Sequence, residues 1–210
     1  MIRKHLKILI ITSVIVLLPV LTGIIFWNQL PDQLPIHWNA AGEVDGRCGK
    51  AFGVFGMPLI LLAIQWLGIT AMAADPKRAG HSGRMLQLSF WLIPLLSLIV
   101  NALTYATALG VKMPVNVIIS TFLGLLFIII GNYMPRCRQN YTMGIKLPWT
   151  LHSEENWNRT HRMAGKLWMI GGFLMMASSF FGKTWLTIAI LIPMALVPMI
   201  YSWTLYRRGI

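Results

Sequence analysis

Acidic side chains are what this sequence has least of. Six aspartates and glutamates stand against eighteen lysines and arginines in 210 residues, and charged residues of both signs make up only 11% of the chain. Soluble domains carry about a quarter of their residues as charges, so a soluble domain of this length is excluded. Cysteine is scarcer still: Cys48 and Cys137 are the whole complement, too few for a disulfide framework. Also missing is any Asp, Glu, Lys or Arg deep inside the apolar runs. Each would cost at least ~2.5 kcal/mol there and would mark an ion or proton path. What the chain does have is 56% hydrophobic residues and a mean hydropathy of +0.65, the composition of a membrane protein.

The formal charge of +12 invites a nucleic-acid reading. Its placement rejects it, because the cations fall in short gaps between apolar runs and form no continuous basic face. They read instead as topology signals and lipid-phosphate contacts, with the lipid bilayer as the first partner and no direct nucleic acid.

Six stretches can cross about 30 Å of hydrocarbon at about 1.5 Å per residue: Ile8–Trp27, Phe52–Met72, Met85–Leu109, Val115–Tyr133, Leu167–Phe181 and Trp185–Tyr206. The first follows Arg3, Lys4 and Lys7 as a signal peptide would, but it is twenty residues long and lacks a convincing cleavage site, so it is expected to stay as a span. The fifth is short and is expected to begin within the polar segment before it. The predicted fold is all-α, a polytopic bundle of six transmembrane helices with both termini cytoplasmic. Orientation follows from the cations. With the N-terminus inside, fourteen lie on cytoplasmic segments, and only Arg47, Lys50, Lys112 and Lys183 lie outside. Cys48 is then outside and Cys137 inside, which bars a disulfide between them. Gln65 and Asn101, and more weakly Gln87 and Asn132, are the polar residues within the runs; they serve either interhelical hydrogen bonds or a transport path.

Two polar segments stand out. In the outer one, residues 28–51, Pro31 and Pro35 stiffen the entry, and Ala41-Gly42 and Asp45-Gly46 are turn signals, so a compact loop is predicted. His37, Glu43 and Asp45 are ligand-type side chains, but their spacing matches no strong metal motif, and no metal or cofactor is implied. Trp38 is expected at headgroup depth with its N–H hydrogen-bonded.

The inner segment, residues 134–166, is the longest polar stretch. Pro148 biases Leu147 toward an extended backbone, Ser153 is a good N-cap, and Glu154 and Glu155 suit the positive end of a helix. From that start Trp157, His161, Ala164 and Trp168 share one face while Arg159, Arg162 and Lys166 gather opposite. Such a helix is expected to lie at the membrane interface, apolar face down, before turning into the fifth span. His152 and His161 are histidines with no nucleophile or acid partner specified, so no catalytic residue and no enzyme activity is expected.

The pattern Asn140…Gly144-Ile145-Lys146…Pro148-Trp149-Thr150…Trp157…Thr160-His161-Arg162…Gly165-Lys166 closely resembles the signature of the SdpI family, over about residues 115–206. Lys146 stands where many members carry arginine. In the outer loop, Pro35, His37, Trp38, Asn39, Gly42, Asp45, Gly46 and Lys50 resemble a small module of bacterial membrane proteins, a domain of unknown function that often precedes an SdpI-type segment. The expected organisation is 1–84 (two spans and the loop module), 85–114 (the third span) and 115–210. The resemblance implies a protein of the bacterial cytoplasmic (inner) membrane, with immunity against a secreted peptide toxin and signal transduction through a cytosolic transcriptional repressor held at the membrane. A small membrane transporter or flippase is the rival reading. Each half has three spans with a long polar loop after the first, which suggests a 3+3 inverted repeat.

Overall fold

The computed structural model describes residues 2–78, 81, 83–181 and 184–210. Lys183 and the side chains of Arg3 and Lys4, all used in the charge count, lie outside the described residues. The chain is mostly helical. Its long helices are α1 (Ile2–Ile25), α2 (Met57–Ala74), α3 (Gly83–Ala108), α4 (Val115–Tyr133), α6 (Glu154–Ser179) and α7 (Thr184–Arg207), with a short α5 (Pro148–His152) ahead of α6. Among the described residues five helical stretches are long and apolar enough to cross a membrane: His5–Ile25, Phe52–Ala74, Gly83–Ala108, Val115–Arg136 and Trp185–Arg207.

Two expectations need correction. The polar segment at 28–51, expected as a compact loop in an all-α chain, is an antiparallel hairpin of β1 (Gln33–Trp38) and β2 (Val44–Gly49). Extended residues set by Pro31 and Pro35, with a tight Asn39–Glu43 turn, favour strand pairing over coil. The second correction concerns the inner segment. No separate interfacial helix precedes the fifth apolar stretch; as expected of that short stretch, its helix begins within the polar segment, and α6 runs unbroken for 26 residues from Glu154. Its Trp157, His161 and Ala164 face is buried under the chain's own loop and so is not available to lipid.

The chain forms two compact units. The first holds residues 1–73 and 87–115, and its helices are joined by polar groups from within the apolar runs. Gln65 Nε2 donates to Thr12 Oγ1 at 2.7 Å, Ser97 Oγ to the Val16 carbonyl at 2.9 Å, and Tyr105 to the Pro19 carbonyl at 3.1 Å. Before α2, Phe52–Gly56 forms a π-helical turn in which Met57 N–H reaches back to the Phe52 carbonyl. Pro58, which has no N–H to give to Val54, follows at once, and the wider turn avoids that missing bond. Gly53 of this turn lies under Leu34 and Cys48 of the hairpin, where a Cβ would come within 2.8 Å of Leu34. Leu30, Leu34, Val54 and Tyr105 form the small core beneath.

The second unit holds residues 74–86 and 116–210. Here α4 and α6 touch through glycines. A Cβ on Gly131 would lie 2.7 Å from the Gly165 carbonyl oxygen, and one on Gly124 would lie 2.6 Å from that of Gly172. Both pairs are seven residues apart and run in opposite directions, so the two backbones meet along a seam with small residues at every second turn. The loop after α4 packs against the first half of α6, and Trp168 donates to the Met194 carbonyl of α7 at 2.9 Å.

Candidate functional site

The hairpin is one of two candidate surfaces. Asn39 builds its turn: Oδ1 accepts from the backbone N–H of Ala41 at 2.9 Å and of Glu43 at 3.0 Å, while Nδ2 donates to the Glu43 carboxylate at 3.1 Å. Gly42 takes φ +82°, a conformation natural to glycine. His37 pairs with Asp45 at 2.5 Å, both well exposed, so two of the three ligand-type side chains are turned on each other. Gly46 sits opposite His37, where a Cβ would come within 2.8 Å of the His37 Cβ. Pro35 is buried and its carbonyl accepts from Thr104 Oγ1 at 3.0 Å. Lys50 closes the base, with its backbone N–H on the Asp32 carbonyl at 2.8 Å and its ammonium on the Trp27 carbonyl at 3.3 Å. Trp38 departs from expectation. Its indole N–H is buried and has no partner among the described residues, beside a cleft of about 320 Å³ that Gly42, Val44 and Lys112 also line.

The second surface is built from the inner polar segment, and its centre is an aromatic stack. The Trp157 and His161 rings lie 4.0 Å apart at 20°. One α-helical turn separates them, so the stack follows from their spacing. Trp157 is fully buried and donates to the Cys137 carbonyl at 2.8 Å. His161 Nε2 accepts the Ile145 N–H at 3.0 Å, which leaves Nδ1 to carry the proton and donate to the Trp157 carbonyl at 2.8 Å. Burial holds His161 down at about 4, against the Trp157 hydrogen bond that raises it, so the ring is neutral at physiological pH. Gly144, at φ +102°, passes directly over this imidazole.

Asn140 and Thr150 fold the loop onto that stack. Asn140 is fully buried; Oδ1 accepts from the N–H groups of Thr142 at 3.0 Å and Met143 at 2.6 Å, and Nδ2 donates to the Arg138 carbonyl at 2.8 Å. Thr150 Oγ1 donates to the Ile145 carbonyl at 2.8 Å and accepts the Leu147 N–H at 2.9 Å. Leu147 is extended (φ −117°, ψ 153°), with Pro148 at the first turn of α5. Ser153 caps α6 through the Asn156 N–H at 3.2 Å. Trp149 donates to Ser202 Oγ at 2.8 Å and packs against Trp203, while Asn156 Nδ2 reaches the Ser202 and Ile210 carbonyls at 3.0 and 3.1 Å. Thr160 donates to Asn156 Oδ1 at 3.1 Å. Most of the motif therefore interlocks one loop, the start of α6 and the end of α7. Gly144, Lys146, Pro148, Arg162 and Lys166 are its exposed members, and three of them are cations.

Sequence reasoning passed over Asp75, the acid at the head of the 75–82 connection. It is buried, and Oδ2 accepts from Tyr141 N–H and Thr142 Oγ1, both at 2.9 Å, while Oδ1 accepts from Lys77 N–H at 2.8 Å. His81 Nε2 lies 3.2 Å from the same carboxylate. Burial works against the charge, but the bonds from Thr142, Lys77, Tyr141 and His81 outweigh it and hold the carboxyl below its ordinary value. The signal available was Asp75-Pro76, an Asx-Pro turn start in a chain with six acids. Beside this latch Lys77, Arg136, Arg138 and Arg162, with Glu154 and Asn158, line a polar cleft of about 750 Å³.

Long apolar helices and two ordered polar surfaces define a multi-pass helical membrane protein. Residues 136–202 match the model of the SdpI/YfhL protein family, and residues 14–62 match a domain of unknown function, DUF1648. The chain is 30% identical over 193 residues to the immunity protein SdpI of Bacillus subtilis (strain 168), a span covering 92% of this chain and 91% of that protein. It belongs to the SdpI family. No solved structure shows significant similarity to it.

Proposed function

We propose that the chain is a bacterial membrane immunity protein that protects its cell from a secreted killing peptide without catalysis. The observation that carries this is the end-to-end similarity to the B. subtilis immunity protein, which takes in both polar surfaces and the apolar helices between them. In this reading Leu167–Phe181, the second half of α6 with the two residues that follow it, makes a sixth crossing of the inner membrane, and both termini are cytoplasmic. The distribution of fourteen cations to four supports that orientation. The hairpin, with His37, Trp38, Asn39 and Asp45 at or near its exposed end, then meets the toxin outside.

The interlocked loop between Cys137 and His161 lies inside, where Lys146, Arg138 and Arg162 offer exposed cations to a cytosolic repressor. Reception requires the toxin to bind two arrangements of the bundle unequally. The same order of one long helix, a polar insertion and two long helices recurs in each compact unit, which supports the 3+3 inverted repeat. Of Gln65 and Asn101, on which a transporter or flippase would lean, Asn101 donates to the Ser97 carbonyl of its own helix, which weighs against that rival, whereas Gln65 binds Thr12 through Nε2 and keeps a buried Oε1 without a partner among the described residues.

The test is deletion and complementation under challenge with secreted killing peptides. Loss of the gene should raise sensitivity to at least one, and the intact gene should restore resistance; unchanged sensitivity to every peptide tried removes the immunity reading. Replacing Lys146 and Arg162 with alanine should spare resistance and abolish recruitment of a repressor to the membrane.

A further inference from the structure

A second groove adjoins the polar cleft and shares Pro135, Arg136 and Arg162 with it, but its character is different. It has a volume of about 800 Å³ and lies between the end of α4 and the flank of α6, within the range of pockets that take sizeable organic ligands. One end is cationic. Arg159 there is already paired with Glu155 at 2.5 Å, whereas Arg162 and Lys166 are exposed and have no carboxylate within reach among the described residues. Arg136 adds a guanidinium that is anchored to the Asn132 carbonyl at 3.2 Å.

The other end is apolar. Met163, Leu167 and Ile170 follow Arg162 and Lys166 along the same flank of α6 at helical spacing. Ile170 is 60% exposed, and beyond it Phe173 and Leu174 are 62% and 52% exposed, so the apolar wall continues along the helix.

We infer that this groove holds one anionic phospholipid, its phosphate between Arg136, Arg162 and Lys166 and its acyl chains along Leu167, Ile170 and Leu174. A free phosphate has no use for the apolar wall, and an acidic peptide is better matched by the polar cleft next to it. Charge at one end and hydrocarbon contact at the other is the chemistry of a lipid at the membrane interface. The site goes beyond the immunity reading and rests only on Leu167–Phe181 crossing the bilayer.

The test is native mass spectrometry of the full chain released from bilayers of equal phosphatidylglycerol and phosphatidylcholine. Wild type should retain phosphatidylglycerol in preference. The exposed double variant R162Q/K166Q should lose that retention roughly tenfold to thirtyfold, while R162K/K166R should keep it, as should R207Q/R208Q at the end of α7. Equal retention of the two lipids, or retention unchanged in R162Q/K166Q, overturns the site. Displacement by millimolar inorganic phosphate or by an acidic peptide overturns the lipid assignment. A spin label at position 174 reports the crossing separately: oxygen access without phosphatidylglycerol preference sinks the site alone, and aqueous access sinks the crossing on which it rests.

Discussion

Gly144 passes over the His161 imidazole so closely that any side chain on it would strike Nε2, the atom that accepts the Ile145 N–H. Two constraints meet at one residue, a φ of +102° and the absence of a Cβ. Gly144→Ala should therefore destabilise the folded protein by about 2 kcal/mol or more. A change at Gly209, also at positive φ but with nothing within 4 Å, should cost clearly less. Thermal unfolding of the purified protein in detergent checks the pair, and equal losses would remove the contact argument.

His161 makes a prediction about acid. Its folded value is held at about 4 by burial, below the ordinary value of 6.5, so between those values the unfolded chain binds the proton that the folded one refuses. Stability is then full above about pH 6.5 and falls as pH drops toward 4, by on the order of 3 kcal/mol in all. His161→Gln should cost stability at pH 7 and flatten the slope between pH 6.5 and 4.5. Asp75 acts in a separate window: its carboxyl is held below its ordinary value, so its contribution persists above that value and is lost only at lower pH. A slope that survives in the His161 variant would assign the acid sensitivity elsewhere.

Asp75 holds the loop from outside the motif. Asp75→Ala leaves the Tyr141 and Lys77 N–H groups and the Thr142 hydroxyl short of an acceptor, at a cost of about 2–4 kcal/mol. Cys137 is the reporter, because it is 2% exposed in the same loop. Its maleimide labelling in mild detergent at fixed pH should be several times faster in the variant, while labelling of Cys48 in the hairpin should not change. Equal Cys137 rates would mean that the loop keeps its place without the carboxylate.

The apolar runs, the Ser153 cap and the extended Leu147 were all legible, because each depends on composition or on neighbours within four residues. The Trp157–His161 stack was half legible: spacing put both on one face of a helix, but a face alone does not say whether lipid or protein covers it. The covering loop is set by Asn140 and Asp75, whose partners lie up to 67 residues away in sequence. The hairpin was misjudged for a related reason. Its turn residues were recognised, but pairing between Leu34 and Cys48 is a long-range choice that Gly53 and the small core beneath it settle.

The α4–α6 seam could have been found in the sequence. Gly124 and Gly131 match Gly165 and Gly172 in a shared seven-residue interval, a period that keeps small residues on one seam of paired helices. Gly131→Val puts a branched side chain where a Cβ alone would come 2.7 Å from the Gly165 carbonyl oxygen. Neither backbone can yield without moving a helix, so the variant should lose well over 2 kcal/mol and should accumulate poorly. Gly68→Val on α2, with open space around it, is the control. Comparable membrane levels and trypsin resistance for the two would show that α4 and α6 do not depend on this approach.

Orientation needs reporters that the fold makes accessible. Cys137 is unsuitable, since its thiol is buried and that burial also raises it above its ordinary value, so slow labelling would reflect packing as much as sidedness. Ala41 at the hairpin turn and Arg138 beside the polar cleft are both exposed. In a background lacking native cysteines, Ala41→Cys should react with a membrane-impermeant maleimide in intact spheroplasts. Arg138→Cys should react only after the membrane is opened. The charge asymmetry leads to this pattern because the hairpin side holds few cations and the loop side many. The opposite pattern would turn the chain over, place the hairpin in the cytoplasm, and remove it as the surface that meets a secreted peptide.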